Sequence, residues 1–385
     1  MKRLVIKGGT VITPLEEIVA DVEVRDGKVT AVAANISVDG AEVVEARGKF
    51  VAPGTIDLHC QGHEGRDLWE RSYEAANAVS VSLVKYGVTG ITPTTSGFAE
   101  YLVPLVEAIA GAVDGAQFLG LHSEGPFVNP DRPGAIDKEG IAPLSMDALK
   151  RLVDACDGRI AIMTIAPELP GALEAISFLR ERGIRPSLGH SNATYAEANA
   201  GFDAGAVRVT HLFNAMTAFA DRADGGLAAA ALARKDVAVE VVCDCVHLHP
   251  AILRMVGAAK GTKLTSAITD SVKVAGLAAG RFSSGGHGKE VFVDKRGNPP
   301  RLADGTIAGS GLSMDQGVRN LVRFAGFSRA EAFTMAAYAP AAVLGLLGQK
   351  GEIKPGRDAD ICLYSSTLEV ERTYVAGELK YTISH

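Results

Sequence analysis

The sequence predicts an α/β fold in which a (β/α)8 TIM-like barrel carries a small discontinuous β-sandwich domain formed by both ends of the chain. Eight short apolar runs between residues 51 and 270 alternate with Ala-rich stretches of helical period, which is typical of βα units and a parallel sheet. Residues 1 to about 50 instead alternate apolar and polar positions, as antiparallel strands do. Strand-like alternation returns after residue 359, so we expect the two chain ends to pair.

The apolar runs define the barrel strands that we expect. They are residues 51–59, 90–96, 118–124, 160–168, 185–191, 207–213, 237–244 and 263–270. Helices of matching period are predicted around residues 72–87, 99–113, 145–156, 171–183, 194–205, 226–235 and 249–259. Eight strands that alternate with helices in this way imply a closed barrel.

The predicted domains follow from these boundaries. We expect residues 1–52 and 347–385 to form the small domain and residues 53–346 to form the barrel. An interval at 281–309 interrupts the alternation, because an apolar run at 291–293 is followed by the turn-rich residues 295–300. This interval predicts an inserted hairpin that overhangs the active face of the barrel.

Composition excludes several classes of partner. A formal charge of −6 without a dense basic stretch argues against nucleic acid and anionic membrane surfaces. No apolar run reaches the roughly 18 residues of a membrane span, and the opening residues lack the apolar run of a secretory signal. Five cysteines without CxxC spacing are expected to be reduced thiols. We therefore expect a cytoplasmic protein that acts on a small molecule.

Ionisable residues close six of the eight predicted strands. In a barrel of this kind the chemistry lies at the C-terminal ends of the strands. A single buried histidine is more often satisfied by a backbone partner, but six strand ends converging on one rim favour a catalytic site. The residues at these ends are His59, His122 with Glu124, His190, His211, Asp244 with His247, and Asp270.

Glu124, His190 and His211 are expected to meet at the mouth of the barrel. One carboxylate oxygen and two imidazole nitrogens suit zinc or a similar divalent ion with one coordination position left open. Such an ion lowers the pKa of bound water towards about 7 and polarises a carbonyl oxygen, as amide hydrolysis requires. Asp270 would accept the proton from water and pass it to the leaving nitrogen. The alternative role for Asp270 is a helix N-cap.

Extended motifs run in order along nearly the whole chain. The outer motifs are PGTIDLH at 53–59 and KGEIKPGRDAD at 350–360. The inner motifs are LGLHSEGPF at 119–127, GHSNAT at 189–194, THLFNAM at 210–216 and AGS at 308–310. The outer pair resembles the two ends of the amidohydrolase superfamily, and the inner set is similar to the N-acetylglucosamine-6-phosphate deacetylases within it.

The resemblance implies an activity and a cofactor. The activity is metal-dependent removal of the acetyl group from N-acetyl-D-glucosamine 6-phosphate, which gives glucosamine 6-phosphate and acetate. It implies that Glu124, His190 and His211 bind the metal and that Asp270 is the general acid/base, in agreement with the strand ends. The expected cofactor is a divalent ion, zinc, with one ion per subunit. A second ion at His59 is the alternative.

The resemblance also implies substrate-binding roles that periodicity does not supply. Asn214 and Ala215 match the family's phosphate-contacting pair, where a backbone N–H can hold an oxyanion. Arg222 matches an arginine six residues beyond the Asn-Ala-Met motif, and a guanidinium suits phosphate. Its alternative is a solvated loop charge. His247 matches a histidine that in relatives comes from the neighbouring subunit, which implies a homodimer.

Two positions depart from the family pattern. The family usually has a histidine in a Gly-x-His-Asn stretch after the Glu-Gly-Pro motif, whereas this chain places Ile136 there. The first-strand motif varies among relatives between His-x-His and Gln-x-Asn, and here it is the hybrid His59-Cys60-Gln61. These departures leave the number of metal ions and the acyl substrate open.

Three hypotheses about function follow. The first is deacetylation of N-acetylglucosamine 6-phosphate, with N-acetylgalactosamine 6-phosphate as the alternative sugar. The second is hydrolysis of another amide or cyclic amide, which Ile136 favours. The third is a binding or scaffold protein that kept the barrel and lost catalysis. An acid/base at the eighth strand argues against the third, because a binding module has no evident need for one.

Overall fold

The N-terminal alternation of apolar and polar residues folds into five strands. The structure is a computed structural model that describes residues 3–14, 16–219, 224–284 and 288–383. β1 runs antiparallel to β2 and pairs in parallel with β4 through its first half and with β5 through its second half. The strands are β1 (Arg3–Ile12), β2 (Glu17–Arg25), β3 (Lys28–Ala33), β4 (Glu42–Glu45) and β5 (Phe50–Pro53).

Eight of the strands that follow form a nearly closed parallel barrel. In chain order the strands are β6 (Thr55–Cys60), β7 (Gly62–His63), β8 (Arg66–Asp67), β9 (Val88–Thr95), β10 (Gln117–Phe118), β11 (Leu121–Glu124), β12 (Ile160–Ile165), β13 (Arg185–Leu188), β14 (Arg208–Val209), β15 (Ala238–Val242) and β16 (Thr265–Ile268). Around the barrel, the neighbouring strands are β6, β9, β11, β12, β13, β14, β15 and β16. The short strands β7, β8 and β10 are not part of this circuit. Ser271, three residues after β16, forms an isolated bridge with Cys60 of β6, and this contact nearly closes the barrel.

A helix follows each of the first seven barrel strands. The helices are α1 (Tyr73–Leu83), α2 (Ala99–Ala108), α3 (Met146–Ala155), α4 (Ala172–Glu181), α5 (Tyr195–Asp203), α6 (Gly226–Ala233) and α7 (Pro250–Lys260). Side-chain caps fix several starts: Ser72 caps α1, Ser145 caps α3, and Thr194 forms a capping box with Glu197 at α5. The apolar faces of these helices pack on the strands in one large buried cluster.

The segment after β16 contains a hairpin and then helices. β17 (Gly280–Ser284) and β18 (Lys289–Val293) pair antiparallel. The turn-rich residues 295–300 then reverse the chain, so that Phe292 and Arg301 exchange two backbone hydrogen bonds of 2.8 and 3.0 Å. The helices are α8 (Met314–Arg323), α9 (Arg329–Phe333), a π-helical turn (Thr334–Tyr338) and α10 (Ala339–Leu344).

The C-terminal strands join the N-terminal ones in one sheet. They are β19 (Ile361–Tyr364), β20 (Val370–Val375) and β21 (Glu378–Thr382). The sheet order is β21, β20, β19, β5, β1, β2, β3, with β4 on β1, so β5 and β19 join the two chain ends. Gly54 connects β5 to β6, and a Cβ there would overlap the side chain of Thr89, which explains why the junction needs glycine.

The predicted fold class is confirmed: a barrel of eight parallel strands lies beside a sheet built from both chain ends. The division of the chain into domains at 1–52 with 347–385 and at 53–346 stays a prediction. No helix within the described ranges is long and apolar enough to cross a membrane.

Candidate active site

A cavity of about 340 Å³ opens at the C-terminal ends of the barrel strands. The strand ends contribute its polar floor, namely Gln61, Glu124, His190, His211 and Asp270. The loop after β11 contributes one wall, with Gly134, Ala135, Ile136 and Asp137. The inserted hairpin and the arm after it contribute the opposite wall, with Lys289, Val291, Leu302 and Ile307.

Glu124, His190 and His211 converge on one point of the floor. Oε1 of Glu124 lies 3.0 Å from Nε2 of His190 and 3.0 Å from Nε2 of His211. The two Nε2 atoms are themselves 3.0 Å apart. All three side chains are buried. The structure therefore brings together one carboxylate oxygen and two imidazole nitrogens, as the strand ends predicted.

The backbone turns sharply where these side chains enter the cavity. His190, His211 and Asp270 have φ angles of 49°, 26° and 52°, a region that residues other than glycine rarely adopt. The surrounding backbone holds Asp270 in this conformation, since its N–H donates to the His59 carbonyl at 2.9 Å and its carbonyl accepts from Ser310 at 2.7 Å. Such local strain is common where a fold aims a functional side chain.

The second ring nitrogen of His190 settles its tautomer. Nδ1 lies 2.9 Å from the carbonyl of Arg132, so Nδ1 carries a proton and Nε2 is the nitrogen that can offer a lone pair to an ion. A neutral imidazole with a fixed ring and a free Nε2 is the form that binds a divalent ion. The donor set of Glu124, His190 and His211 thus fits an ion of the zinc class, with a position left for water or substrate.

The floor of the cavity favours positive charge. Burial alone would raise the pKa of Glu124, but the neighbouring imidazoles, His59 first among them, hold it well below its ordinary value. Burial would lower the pKa of His59, yet Glu124 and Asp270 raise it to about 9. A cation is therefore stabilised between these carboxylates, which is consistent with a metal site.

Asp270 and Gln61 line the floor next to the three converging residues, and the fully buried His59 contacts this group from outside the cavity lining. Oδ1 of Asp270 lies 3.4 Å from Nε2 of His59 and 3.4 Å from Nε2 of Gln61. His59 Nε2 also lies 3.4 Å from Oε1 of Glu124. Asp270 and His59 thus lie beside the converging side chains without being part of the 3.0 Å cluster.

His122, like His59 and Asp244, is a strand-end residue that does not line the cavity. Its Nδ1 lies 3.0 Å from the carbonyl of Leu58, and its Nε2 lies 2.8 Å from Oγ1 of Thr164. Burial holds its pKa well below the ordinary value, so the ring is neutral. It lies near His59 and Glu240, but with both ring nitrogens in hydrogen bonds it offers no free lone pair to an ion.

Glu168, which sequence reasoning missed, braces the loop that carries His190. Its carboxylate accepts from Oγ of Ser191 at 2.7 Å, from the backbone N–H of Asn192 at 2.6 Å and from Nδ2 of Asn129 at 2.8 Å. The backbone N–H of Asn129 in turn donates to the carbonyl of His190 at 2.9 Å. Glu168 is therefore a positioning residue for His190. Glu168 closes the predicted run 160–168, so the rule applied to the other strand ends could have indicated it, although the strand itself ends at Ile165.

The loop that follows β14 carries the expected phosphate-contacting pair. Asn214 and Ala215 line the cavity, and the loop includes Phe213 and Ala215 with φ angles of 74° and 49°. Alternation of right- and left-handed backbone turns N–H groups towards one side, and such concavities bind anions. Arg222, which the resemblance matches to a phosphate-binding arginine, lies outside the described residues.

His247 lines the cavity close to Asp270. Its Nδ1 lies 2.7 Å from Oδ2 of Asp244, and its backbone N–H donates to Oδ1 at 2.9 Å. Burial would lower the pKa of His247, but the bond with Asp244 outweighs burial and raises it. Asp244 therefore fixes the ring and favours its charged form. The role of His247 across a dimer stays a prediction.

Glycine is required at position 134, where the loop after β11 meets the floor of the cavity. Gly134 has a φ of 55°, and a Cβ there would lie 3.2 Å from Cε1 of His190 and 3.5 Å from Cβ of Ala215. Ile136 follows two residues later and faces the cavity with an apolar side chain. The position at which the family has a histidine therefore offers no side-chain hydrogen-bond donor.

Comparison with known proteins agrees with this geometry. The sequence profile of the Amidohydrolase family matches residues 50–380. The N-acetylglucosamine-6-phosphate deacetylase of Bacillus subtilis (strain 168) is 33% identical over 98% of this chain and 97% of its own length. The N-acetylgalactosamine-6-phosphate deacetylase of Escherichia coli O157:H7 is also 33% identical, over 88% of this chain and 89% of its own length.

Solved structures give the same result. A variant of the Mycobacterium smegmatis N-acetyl-D-glucosamine-6-phosphate deacetylase, in complex with N-acetyl-D-glucosamine-6-phosphate, superposes with a TM-score of 0.90 at 30% identity. The match covers 99% of this chain and 100% of that chain. The barrel and these relatives define a hydrolase that acts on C–N amide bonds, and the Glu-His-His cluster is a group that could hold a metal ion. More particularly, the chain belongs to the amidohydrolase family.

Proposed function

We propose that this protein hydrolyses the acetamido group of N-acetyl-D-glucosamine 6-phosphate to give glucosamine 6-phosphate and acetate. The observation that carries the proposal is the convergence of Glu124, His190 and His211 within 3.0 Å of one another, beside Asp270, at the mouth of the barrel. Relatives that match nearly the whole chain at about a third identity are named for this reaction, which supports the same substrate.

Glu124, His190 and His211 would hold the metal ion. An ion bound there lowers the pKa of water and polarises the amide carbonyl. We propose zinc, because zinc accepts mixed imidazole and carboxylate ligands and tolerates an open position. The proposed number is one ion per subunit, with His59 as the residue that would hold a second.

Asp270 is the proposed general acid/base. Its carboxylate takes a proton from the water whose oxygen bonds to the acetyl carbon. As the C–N bond breaks, the same group returns the proton to the sugar nitrogen, which leaves as an amine while the acetyl group leaves as acetate. Gln61, with Nε2 at 3.4 Å from Oδ1 of Asp270, helps to orient that carboxylate.

The loop after β14 would bind the substrate. The backbone at Asn214 and Ala215 would hold the phosphate, with Arg222 as a further partner. His247 would contact the substrate, as the resemblance implies, across the interface of a homodimer. We place the protein in the cytoplasm and expect neither nucleic acid nor membrane among its partners. Sedimentation equilibrium tests the dimer, since a monomer at micromolar concentration would contradict it.

A substrate panel tests the proposed function. Metal-replete protein should release acetate faster from N-acetylglucosamine 6-phosphate than from N-acetylgalactosamine 6-phosphate, and cyclic amides should be poor substrates. The same panel should be run on a mock preparation, purified in the same way from cells that do not express the protein, as a control for contaminating activity. Faster turnover of the galacto sugar or of a cyclic amide would replace the proposed substrate with that compound. Acetate release equal to that of the control would contradict the function.

A further inference from the structure

The inserted hairpin brings a lysine into the cavity wall. Lys289 begins β18, and Lys289 and Val291 both line the cavity, because alternate residues of a strand share one face. Phe292, on the other face, is 51% exposed. Among the described residues that line the cavity, Lys289 is the sole lysine or arginine.

Two groups from the loop after β11 hold the ammonium ion of Lys289. Nζ forms an ion pair with Oδ1 of Asp137 and lies 3.4 Å from the carbonyl oxygen of Ala135. An ammonium ion has three N–H donors, so one donor remains after these two contacts. The lysine side chain is 37% exposed, and an anion in the cavity can therefore reach it without the pair being dismantled.

The ammonium ion of Lys289 shares the cavity with Asn214 and Ala215, the proposed phosphate-contacting pair. Gly134, next to Ala135, packs against Ala215, where a built Cβ would approach to 3.5 Å. Ala135 and Asp137, which contact Lys289, therefore lie in the same stretch of chain as Gly134, which packs against the loop after β14. The remaining charges on the described lining are largely carboxylates, namely Glu124, Asp137, Glu139 and Asp270. A phosphorylated substrate needs a cation to offset them.

We propose that Lys289 is a substrate-specificity residue whose ammonium ion, positioned by Asp137 and Ala135, binds the phosphate group of the amino sugar. The proposal rests on the proposed function and extends it to the inserted hairpin. Lysine binds phosphate as a compact point charge, and its loss removes a charge-assisted hydrogen bond that only the phosphorylated ligand makes.

Direct binding tests this proposal independently of turnover. Glucosamine 6-phosphate and glucosamine should be titrated calorimetrically into the metal-replete wild type, Lys289→Met, Lys289→Arg and Lys295→Met. Lys295 is the matched control, because it is exposed in the same insertion and lies away from the cavity. We expect Lys289→Met to weaken binding of glucosamine 6-phosphate about ten- to a hundredfold. Lys289→Arg should keep most of the affinity, and Lys295→Met should bind as the wild type does.

Several results would overturn the proposal. They are wild-type affinity for glucosamine 6-phosphate in Lys289→Met, an equal loss with glucosamine, or an equal loss in Lys295→Met. Acetate release by the wild type is measured separately, so an inactive protein that still binds the phosphate through Lys289 would contradict the proposed reaction and not this proposal.

Discussion

The Nε2 atoms of His190 and His211 lie 3.0 Å apart, in a buried site, with Oε1 of Glu124 at the same distance from both. His190 carries a proton on Nδ1, as its bond to the Arg132 carbonyl shows, so its Nε2 is the nitrogen that can offer a lone pair to this point. A carboxylate oxygen and two imidazole nitrogens held so close together can be stabilised by a cation between them.

Removal of one converging residue should remove the metal and the activity together. Glu124→Gln or His211→Ala should lower the bound metal well below one ion per subunit, with a parallel loss of acetate release, because a ligand is lost. Metal content after dialysis, measured by plasma emission spectrometry, checks this. His249→Gln, at an exposed helix start, is the control and should keep its metal. Stoichiometric metal in both ligand variants would refute the assignment.

Asp270→Asn should separate chemistry from metal binding. The amide keeps the shape of the side chain but cannot accept the proton, so we expect kcat to fall about 10²- to 10⁴-fold. Metal content and circular dichroism should match the wild type. A kcat close to that of the wild type would exclude Asp270 from proton transfer.

We propose, as the alternative to a single ion, that a second metal ion at His59 compensates for the hydrogen-bond donor that Ile136 cannot supply to the acyl carbonyl. An oxyanion-type donor is typically worth about 2.7 to 4 kcal/mol in the transition state, and Ile136 supplies none. If a second ion at His59 compensates, replete protein should hold more than one metal ion per subunit, and His59→Gln should lower both the stoichiometry and the rate. One metal ion together with good wild-type activity would contradict this compensation.

The complementary variant is Ile136→His. A large gain in kcat/KM on N-acetylglucosamine 6-phosphate would indicate that the native substrate of this protein is a different amide. Unchanged activity would mean that Ile136 is a neutral replacement. Steady-state kinetics on the same panel of N-acetylated hexosamine 6-phosphates checks both outcomes.

His63 should make the fold sensitive to acid. The ring is buried, and burial lowers its pKa from 6.5 to about 4. Between those values the unfolded chain binds a proton that the folded chain does not, so the free energy of unfolding falls as pH falls. From pH 7 to pH 5 this group should remove about 2 kcal/mol, at about 1.4 kcal/mol per pKa unit.

Urea denaturation at the two pH values measures this loss. His63→Asn, whose Nδ2 can still donate a hydrogen bond to Oγ of Ser82, should lose less stability between pH 7 and pH 5 than the wild type. The exposed His249→Asn should lose as much as the wild type. Equal losses in all three proteins would show that His63 does not control the acid sensitivity.

Much of the barrel follows from the sequence, because its signals are local. Each strand is a short apolar run, and caps such as Ser72 and Thr194 mark helix starts. The rule that strand ends converge also predicts Glu124 beside His190. The rule predicts which side chains of a strand point into the barrel, but not how far below the cavity each one lies. His122, two residues before Glu124, lies one layer deeper in the barrel, and its ring contacts Thr164 instead of the cavity.

Contacts between distant segments could not be predicted in the same way. Lys289 and Ala135 are 154 residues apart, and neither stands in a motif that identifies its partner. Glu168 braces His190 through neighbours that only the folded loops bring together. Such contacts depend on how an insertion and two loops pack over the barrel, which local periodicity does not encode.

Product analysis of N-acetylglucosamine 6-phosphate turnover tests the central claim most directly. Proton NMR of the reaction with metal-replete protein should show one acetate and one glucosamine 6-phosphate formed for each substrate consumed. Dialysis against a chelator should abolish the reaction, and added zinc should restore it. Undiminished hydrolysis after complete metal removal, or consumption of the substrate without acetate, would contradict the account.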